Sequence, residues 1–191
     1  MRKSKQETAQ TRQRIVEAAS EEFRRSGIDG TGLNDLMAAA GLTHGGFYKH
    51  FDSKEQVVEE SLAFAVESML EAWTRKLSSA PLDRGLDAAI AEYLSVPHRD
   101  DPAGGCPFAA LGSEVARGSD AAREAMTRGF LDMVKAMAGQ LEDLPPAAAR
   151  KEAVWKLSAM IGALTMARVV TDPELSATIL REARKRLIGS S

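Results

Sequence analysis

Cysteine is nearly missing from this sequence: Cys106 is the single one among 191 residues. One cysteine excludes an internal disulfide framework and a cysteine-based zinc site, so a reducing cytoplasm is the expected compartment. Aromatic residues make up only 5% of the chain, and β-branched runs are scarce, which disfavours sheets. The longest largely apolar run, Ser158 to Val170, is interrupted by Arg168 and too short to cross a bilayer. Polar residues follow the basic stretch Met1 to Lys5, so no secretory leader is expected. A net charge of −2 argues against wrapping nucleic acid over the whole surface. No metal-ligand or cofactor motif is present, and none is expected to be needed.

The residues that remain are helix formers: Ala, Leu, Glu, Arg and Met are frequent. The first helix reads from about Thr11 to Ser26, with Ile15, Ala18, Ala19 and Phe23 on one face. Gly27 supplies a residue that can turn left-handed after it, and Ile28 can fold back on the helix end. Leu33, Leu36, Met37 and Ala40 mark a second helix ended by Gly41, and Thr43 can cap a short third helix reaching about His50. Ser53 with Gln56 forms a capping box for a longer fourth helix, to about Lys76. Further helical patterns cover about Leu82 to Ser95, Pro107 to Arg117, Asp120 to Leu141, Pro146 to Val170 and Pro173 to Ile188, with Pro97 to Gly105 as the clearest loop. The expectation is an all-α chain of nine helices, divided into a small helical head at 1–52 and a larger bundle at 53–191. Charge is unevenly placed: residues 1–14 hold Arg2, Lys3, Lys5, Arg12 and Arg14 against Glu7 alone, whereas the bundle is mildly acidic. A basic arm on an acidic body fits a local nucleic-acid contact.

The segment from Leu33 to Phe51 has the mechanics of a helix-turn-helix: two short amphipathic helices joined by a tight turn containing glycine. Leu36, Met37, Leu42 and Phe47 would fix their angle, and the second helix would present its first residues to a major groove. The string Ala40-Gly-Leu-Thr-His-Gly-Gly-Phe-Tyr-Lys-His-Phe-Asp-Ser-Lys54 resembles, without a gap, the recognition-helix signature of the TetR/AcrR family of regulators. The resemblance is specific over about residues 8–60 and only architectural beyond them. It implies a homodimer, a pseudo-palindromic duplex operator, and a pocket in the bundle for an apolar or amphipathic small-molecule effector that releases the DNA. A bacterial cytoplasmic location follows, at the nucleoid when DNA is bound, with no membrane partner.

Carried over residue by residue, the resemblance makes Thr31, Thr43, His44, Gly45, Gly46, Tyr48, Lys49, His50 and Lys54 the candidate DNA contacts. Thr43 caps the recognition helix, and His44 lies at its exposed first turn, placed to read a base edge. Tyr48, His50 and Lys54 match positions that hold the phosphate backbone. Gly32 departs from the usual Ser or Thr cap and offers no hydroxyl. Gly45 and Gly46 also depart, removing two possible base-reading side chains and letting the backbone approach the groove closely.

In the bundle, Phe64, Met69, Trp73, Tyr93, Cys106, Phe108, Met133, Met137 and Trp155 are candidates for lining an effector cavity. The small-residue stretch with Met160, Gly162, Ala163, Met166, Ala167 and Val170 is the candidate dimer interface. The fourth helix, which joins the head to the bundle, is the expected lever. Arg181, Arg184, Lys185 and Arg186 read as a solvated helix C-terminus. Two other functions stay open on the residues alone. One is a helical scaffolding module without DNA. The other is an enzyme using Cys106 with His98, Asp100 or Asp101, for which no base–orienter spacing is evident. Cys106, before Pro107 at a helix start, would also feel the helix dipole, which favours thiolate and reactivity.

Overall fold

The computed structural model describes residues 5–79 and 85–188, and among these there are nine α-helices, one 3₁₀ helix and no strand. Arg2 and Lys3 of the basic arm, and the expected helix start at Leu82, lie outside the described residues. Helix α1 (Lys5–Ser26) buries Thr11, Ile15, Val16, Ala19, Ser20 and Phe23, and α2 (Leu33–Ala39) buries Leu36 and Met37. Between them Gly27 adopts φ 82°, and its N–H returns to the Phe23 carbonyl at 2.8 Å. Gly41 adopts φ 68° at the turn after α2. Both are left-handed positions where a Cβ is penalised.

The recognition segment His44–Lys49 is a 3₁₀ helix, not an α-helix. Two adjacent glycines lower helix propensity by about 1 kcal/mol each relative to alanine, and 3₁₀ turns are frequent in short connecting segments. Helix α3 (Lys54–Ser79) starts as the capping pattern anticipates, with the Gln56 N–H donating to Ser53 Oγ at 3.2 Å. The return bond differs from a simple capping box, because Gln56 Oε1 accepts from the Asp52 N–H.

The remaining helices are α4 (Gly85–Tyr93), α5 (Val96–Asp100), α6 (Pro107–Val115), α7 (Asp120–Ala138), α8 (Pro146–Val169) and α9 (Pro173–Ile188). Helix α5 begins at Val96 and takes in the first four residues of the stretch expected as loop, Pro97 to Asp100. Ser95 caps it by accepting from the His98 N–H, and Pro97 sits in its first turn, where proline is tolerated.

Two apolar clusters fill the interior. The first joins Ile15, Phe23, Leu36, Met37, Phe47 and Phe51 of the head to Val57, Leu62 and Val66 of α3 and to Leu111, Val115 and Met126 of the bundle. Apolar packing is therefore continuous across the expected boundary at 52/53. The second surrounds Trp73, Ile90, Tyr93, Cys106, Met133, Met137, Leu157, Met160, Leu164 and Leu180. Gly129 marks a close helix crossing: a Cβ there would lie 2.8 Å from Val66 Cβ and closer still to its Cγ1. Helix α3 thus passes against α7 with no room for a methyl group.

Candidate nucleic-acid interface and ligand cavity

The recognition segment is held from beneath and open above. Phe47 is fully buried and packs edge-on against Tyr48 and in a tilted stack on Phe51, with centroid distances of 5.2 and 5.7 Å. This anchor leaves Thr43, His44, Gly45, Tyr48 and Lys49 exposed along one edge, with Tyr48 exposing 67% of its surface. A Cβ at Gly45 would meet nothing within 4 Å, and one at Gly46 would only touch Met37 Cε at 3.4 Å. Neither glycine is required by packing within the chain.

Three candidate contacts have different surroundings from those expected. Thr31 is only 2% exposed, and its hydroxyl donates to the Gly27 carbonyl at 2.6 Å. It braces the α1–α2 turn and is not a surface group able to meet phosphate. Lys54 Nζ donates to the Ile28 carbonyl at 2.6 Å and lies over the Phe23 ring, so it is half-buried against the same turn. His50 is half-buried, and its carbonyl accepts from Arg12 Nε at 3.2 Å. Arg12, counted with the basic arm, is committed elsewhere: it pairs with Glu60 on α3 and stacks over Phe51 at 4.4 Å. It staples α1 to the recognition segment and α3. At the second-helix cap, Asp35 Oδ2 accepts the Gly32 N–H at 3.1 Å, which supplies the half of the cap that glycine can still make.

In the bundle a cavity of about 390 Å³ opens between α1, α3, α4 and the α5–α6 loop. Met69, Trp73, Tyr93 and Cys106 line it as expected, and Arg24, Lys76, Glu92, His98 and Asp101 add polar groups. Phe64 and Phe108 are half-buried packing residues, and Phe108 meets Phe130 edge-on at 5.8 Å. Met133 and Met137 are core residues of the second cluster. None of these four lines the cavity. Trp155 is 51% exposed on α8, away from it. The sequence places Trp155 only on a helix, and helical periodicity is weak along α8, where small residues occupy several faces.

Cys106 is buried, and burial pushes its thiol above the ordinary range, outweighing the hydrogen bonds from Tyr93 and from the backbone N–H groups of Ala109 and Phe108. The expected dipole-stabilised thiolate gives way to desolvation. His98 commits both ring nitrogens to backbone. Nδ1–H donates to the Tyr93 carbonyl at 2.7 Å, and Nε2 accepts the Cys106 N–H at 3.0 Å. That pair of bonds requires the neutral ring. Burial is the largest influence lowering the His98 pKa, with nearby Arg168 adding to it, while the Tyr93 carbonyl, Asp101 and Glu92 oppose it. His98 is therefore a loop brace and does not face the sulfur as a base.

Because the folded-state pKa of His98 lies below its unfolded value of about 6.5, the unfolded chain binds a proton first. The stability linked to His98 is complete above that value and is lost as pH falls through the lowered folded pKa. Urea midpoints of the wild type are expected to fall between neutrality and mildly acidic pH more steeply than those of His98→Gln. Parallel pH profiles would remove His98 from that loss.

Two family models match the chain. Residues 15–61 match the bacterial regulatory proteins of the tetR family, and residues 84–182 match the LmrA/YxaF-like transcriptional regulator C-terminal domain. The chain belongs to the TetR family. The regulator SrpR of Pseudomonas putida is 32% identical over 97 residues, which are 51% of this chain and 44% of that protein. The repressor KstR2 of Mycolicibacterium smegmatis is 30% identical over 93 residues, 48% of this chain and 45% of that one. The chain thus spans about half the length of these curated relatives. A solved TetR regulator from Chloroflexus aurantiacus superposes with a TM-score of 0.80 at 26% identity, covering 96% of this chain and 95% of that one. TetR-family proteins are regulators, so the enzyme and scaffold readings fall away. Among the described residues no helix is long and apolar enough to cross a membrane.

The interface candidates on α8 divide by face. Met160 and Ala167 point into the core, whereas Met166 is exposed and Gly162 faces open space. Ala163 and Val170 are half-buried. Trp155, Val154 and Val169 join Met166 among the exposed apolar groups of this region. Period-3.6 assignment of the small-residue run could have separated the inward pair 160 and 167, seven apart, from the rest.

Proposed function

We propose that this TetR-family chain is a homodimeric repressor that binds a pseudo-palindromic operator through residues 43–49 and is released by a small molecule bound in the bundle cavity. The observation that carries the reading is the shared scaffold of reading head and cavity. Helix α3 begins directly after the recognition segment and contributes Met69 and Trp73 to the cavity wall. Helix α1 packs under the recognition segment and contributes Arg24 to the same wall. A ligand that fits one arrangement of these helices better than another shifts operator affinity by that difference.

Dimerisation is assigned to the exposed apolar side of α8 around Trp155, Gly162, Met166 and Val169. An unpartnered apolar patch of this kind is unusual on a monomer surface. Paired recognition segments roughly 34–36 Å apart would enter successive major grooves. The cell compartment that fits this reading is the bacterial cytoplasm.

The exposed edge divides into two roles. His44 reads base edges, and Tyr48 donates to phosphate. An operator selected from a random duplex library, then titrated with variants, tests the division. His44→Ala is expected to change which sequence is preferred. Tyr48→Phe is expected to weaken selected and unrelated duplexes alike, by roughly threefold to tenfold for one lost hydrogen bond. Two chains should bind per operator in sedimentation. Equal loss of sequence preference in both variants, or one chain per operator, would overturn the proposal.

A further inference from the structure

Two residues of the cavity wall carry buried polar groups that the fold leaves unpaired or only weakly paired. Trp73 Nε1 has no hydrogen-bond partner among the described residues, and Tyr93 Oη has none beyond the adjacent Cys106 sulfur, a weak acceptor; the two residues are 6% and 8% exposed. Both residues line the cavity. An unpaired buried donor costs about 1–3 kcal/mol, so such groups are normally satisfied. An indole N–H can only donate. A tyrosine hydroxyl can donate or accept, and here burial and the adjacent Cys106 keep the phenol protonated.

The cavity wall carries charges of both signs, Arg24 and Lys76 against Glu92 and Asp101. Lys76 and Glu92 pair with each other at the wall, and Asp101 Oδ1 accepts the Gly104 N–H. Arg24 has no carboxylate partner within ion-pair distance among the described residues; it donates to the Ala103 carbonyl and to Ser20 Oγ. The wall therefore offers two donors beside the apolar surfaces of Ala65, Met69 and Trp73, with the charges of Arg24 and Asp101 offsetting each other.

We propose that the cavity selects effectors that carry a hydrogen-bond-accepting oxygen, as a carbonyl or carboxylate, on an apolar body, received by Trp73 Nε1–H and Tyr93 O–H. This rests on the effector reading of the cavity given above. A cationic ligand without an acceptor oxygen would leave the Trp73 donor unpaired. A hydrocarbon would fill the volume and leave the same donor unpaired.

The test uses the full chain and four naphthalenes substituted at one ring position: acetyl, carboxylate, ethyl and trimethylammonium. Calorimetry is expected to show the acetyl or carboxylate probe binding at least ~10-fold more tightly than the other two, the equivalent of about 1.4 kcal/mol. In proton–nitrogen correlation spectra the Trp73 indole signal, assigned with Trp155→Phe, is expected to move downfield with those probes and not with the ethyl probe. Trp73→Phe or Tyr93→Phe should erase the preference while the ethyl probe still binds. A carboxylate preference lost in Arg24→Met would assign the charge to Arg24, and an acetyl preference would assign a neutral carbonyl. Equal binding of the ethyl or ammonium probe, an unmoved Trp73 signal on binding, or no binding by any probe would overturn the proposal. Operator affinity is measured separately. Probes that show the preference yet leave operator affinity unchanged would retire effector release and leave the acceptor site standing. Release by the ammonium probe alone would do the reverse.

Discussion

Gly129→Ala is expected to destabilise the protein by about 2 kcal/mol or more, near the upper half of the range for overpacking a well-filled core. The added methyl would lie 2.8 Å from Val66 Cβ and closer to its Cγ1, a separation that no rotamer of alanine can relieve. Either Val66 leaves its place or α3 and α7 move apart. Val66 is 4% exposed within the cluster that joins the reading head to the bundle, so neither change is local. For a chain of this size that energy corresponds to a drop of roughly 4–8 °C in Tm. The double variant Gly129→Ala with Val66→Ala should recover part of the loss, because it removes the atoms that the methyl group strikes. Non-additivity of this sign is what contacting residues give in a double-mutant cycle. A Tm for Gly129→Ala equal to that of the wild type would mean that the crossing is looser than its geometry indicates. Loss in the double variant equal to the sum of the singles would place the strain elsewhere.

Gly129 also marks the limit of what the sequence carries. Local punctuation is legible: Gly27 and Gly41 are left-handed where the chain needs to turn, and Ser53 caps the helix that it precedes. These features depend on a few neighbouring residues and elementary backbone sterics. A close crossing between residues 66 and 129 depends on two helices meeting, and a glycine in mid-helix reads locally only as a weak point. The same reasoning explains the candidate sites. The exposed edge from Thr43 to Lys49 follows from the motif, but the burial of Thr31 does not. A hydroxyl before a helix reads as a surface cap unless the preceding turn is known to fold over it. Arg12 reads as one charge in a basic arm, and its partner Glu60 is a helix away. Trp155 and Trp73 are both aromatic residues on helices. Only the packing of α3 against α4 turns one into a cavity wall and leaves the other in solvent.

Arg24→Met is expected to separate effector binding from operator release. Arg24 lies in the last turns of α1, where its Nε–H donates to the carbonyl of Ala103 in the loop that leads to Cys106. Its other bond runs to Ser20 Oγ on its own helix at 2.9 Å. Burial pushes the guanidinium pKa down, opposed by the negative charges of Glu21 and Asp101. Just beyond, Glu114 of α6 accepts the N–H groups of Ile28 and Asp29 at 2.7 and 3.2 Å. The C-terminal end of α1 is thus tied to the cavity loop by Arg24 and to α6 by Glu114. A ligand oxygen that draws Arg24 from Ala103 releases the first tie and leaves the second as a pivot.

Methionine keeps the apolar stem of Arg24 to about the position of Nε and removes its donors. In Arg24→Met an effector that binds the cavity should change operator affinity at least about fivefold less than it does in the wild type, a loss within the usual range of coupling energies. Coupling is reciprocal, so the effector affinities of free and operator-bound protein should converge by the same factor. The two measurements check each other: fluorescence anisotropy of the operator with and without effector, and calorimetry of effector with and without operator. Full coupling in Arg24→Met by both measures would transfer the signal from α1 to α3, whose path from Lys54 to Trp73 links the recognition segment to the cavity without passing through Arg24.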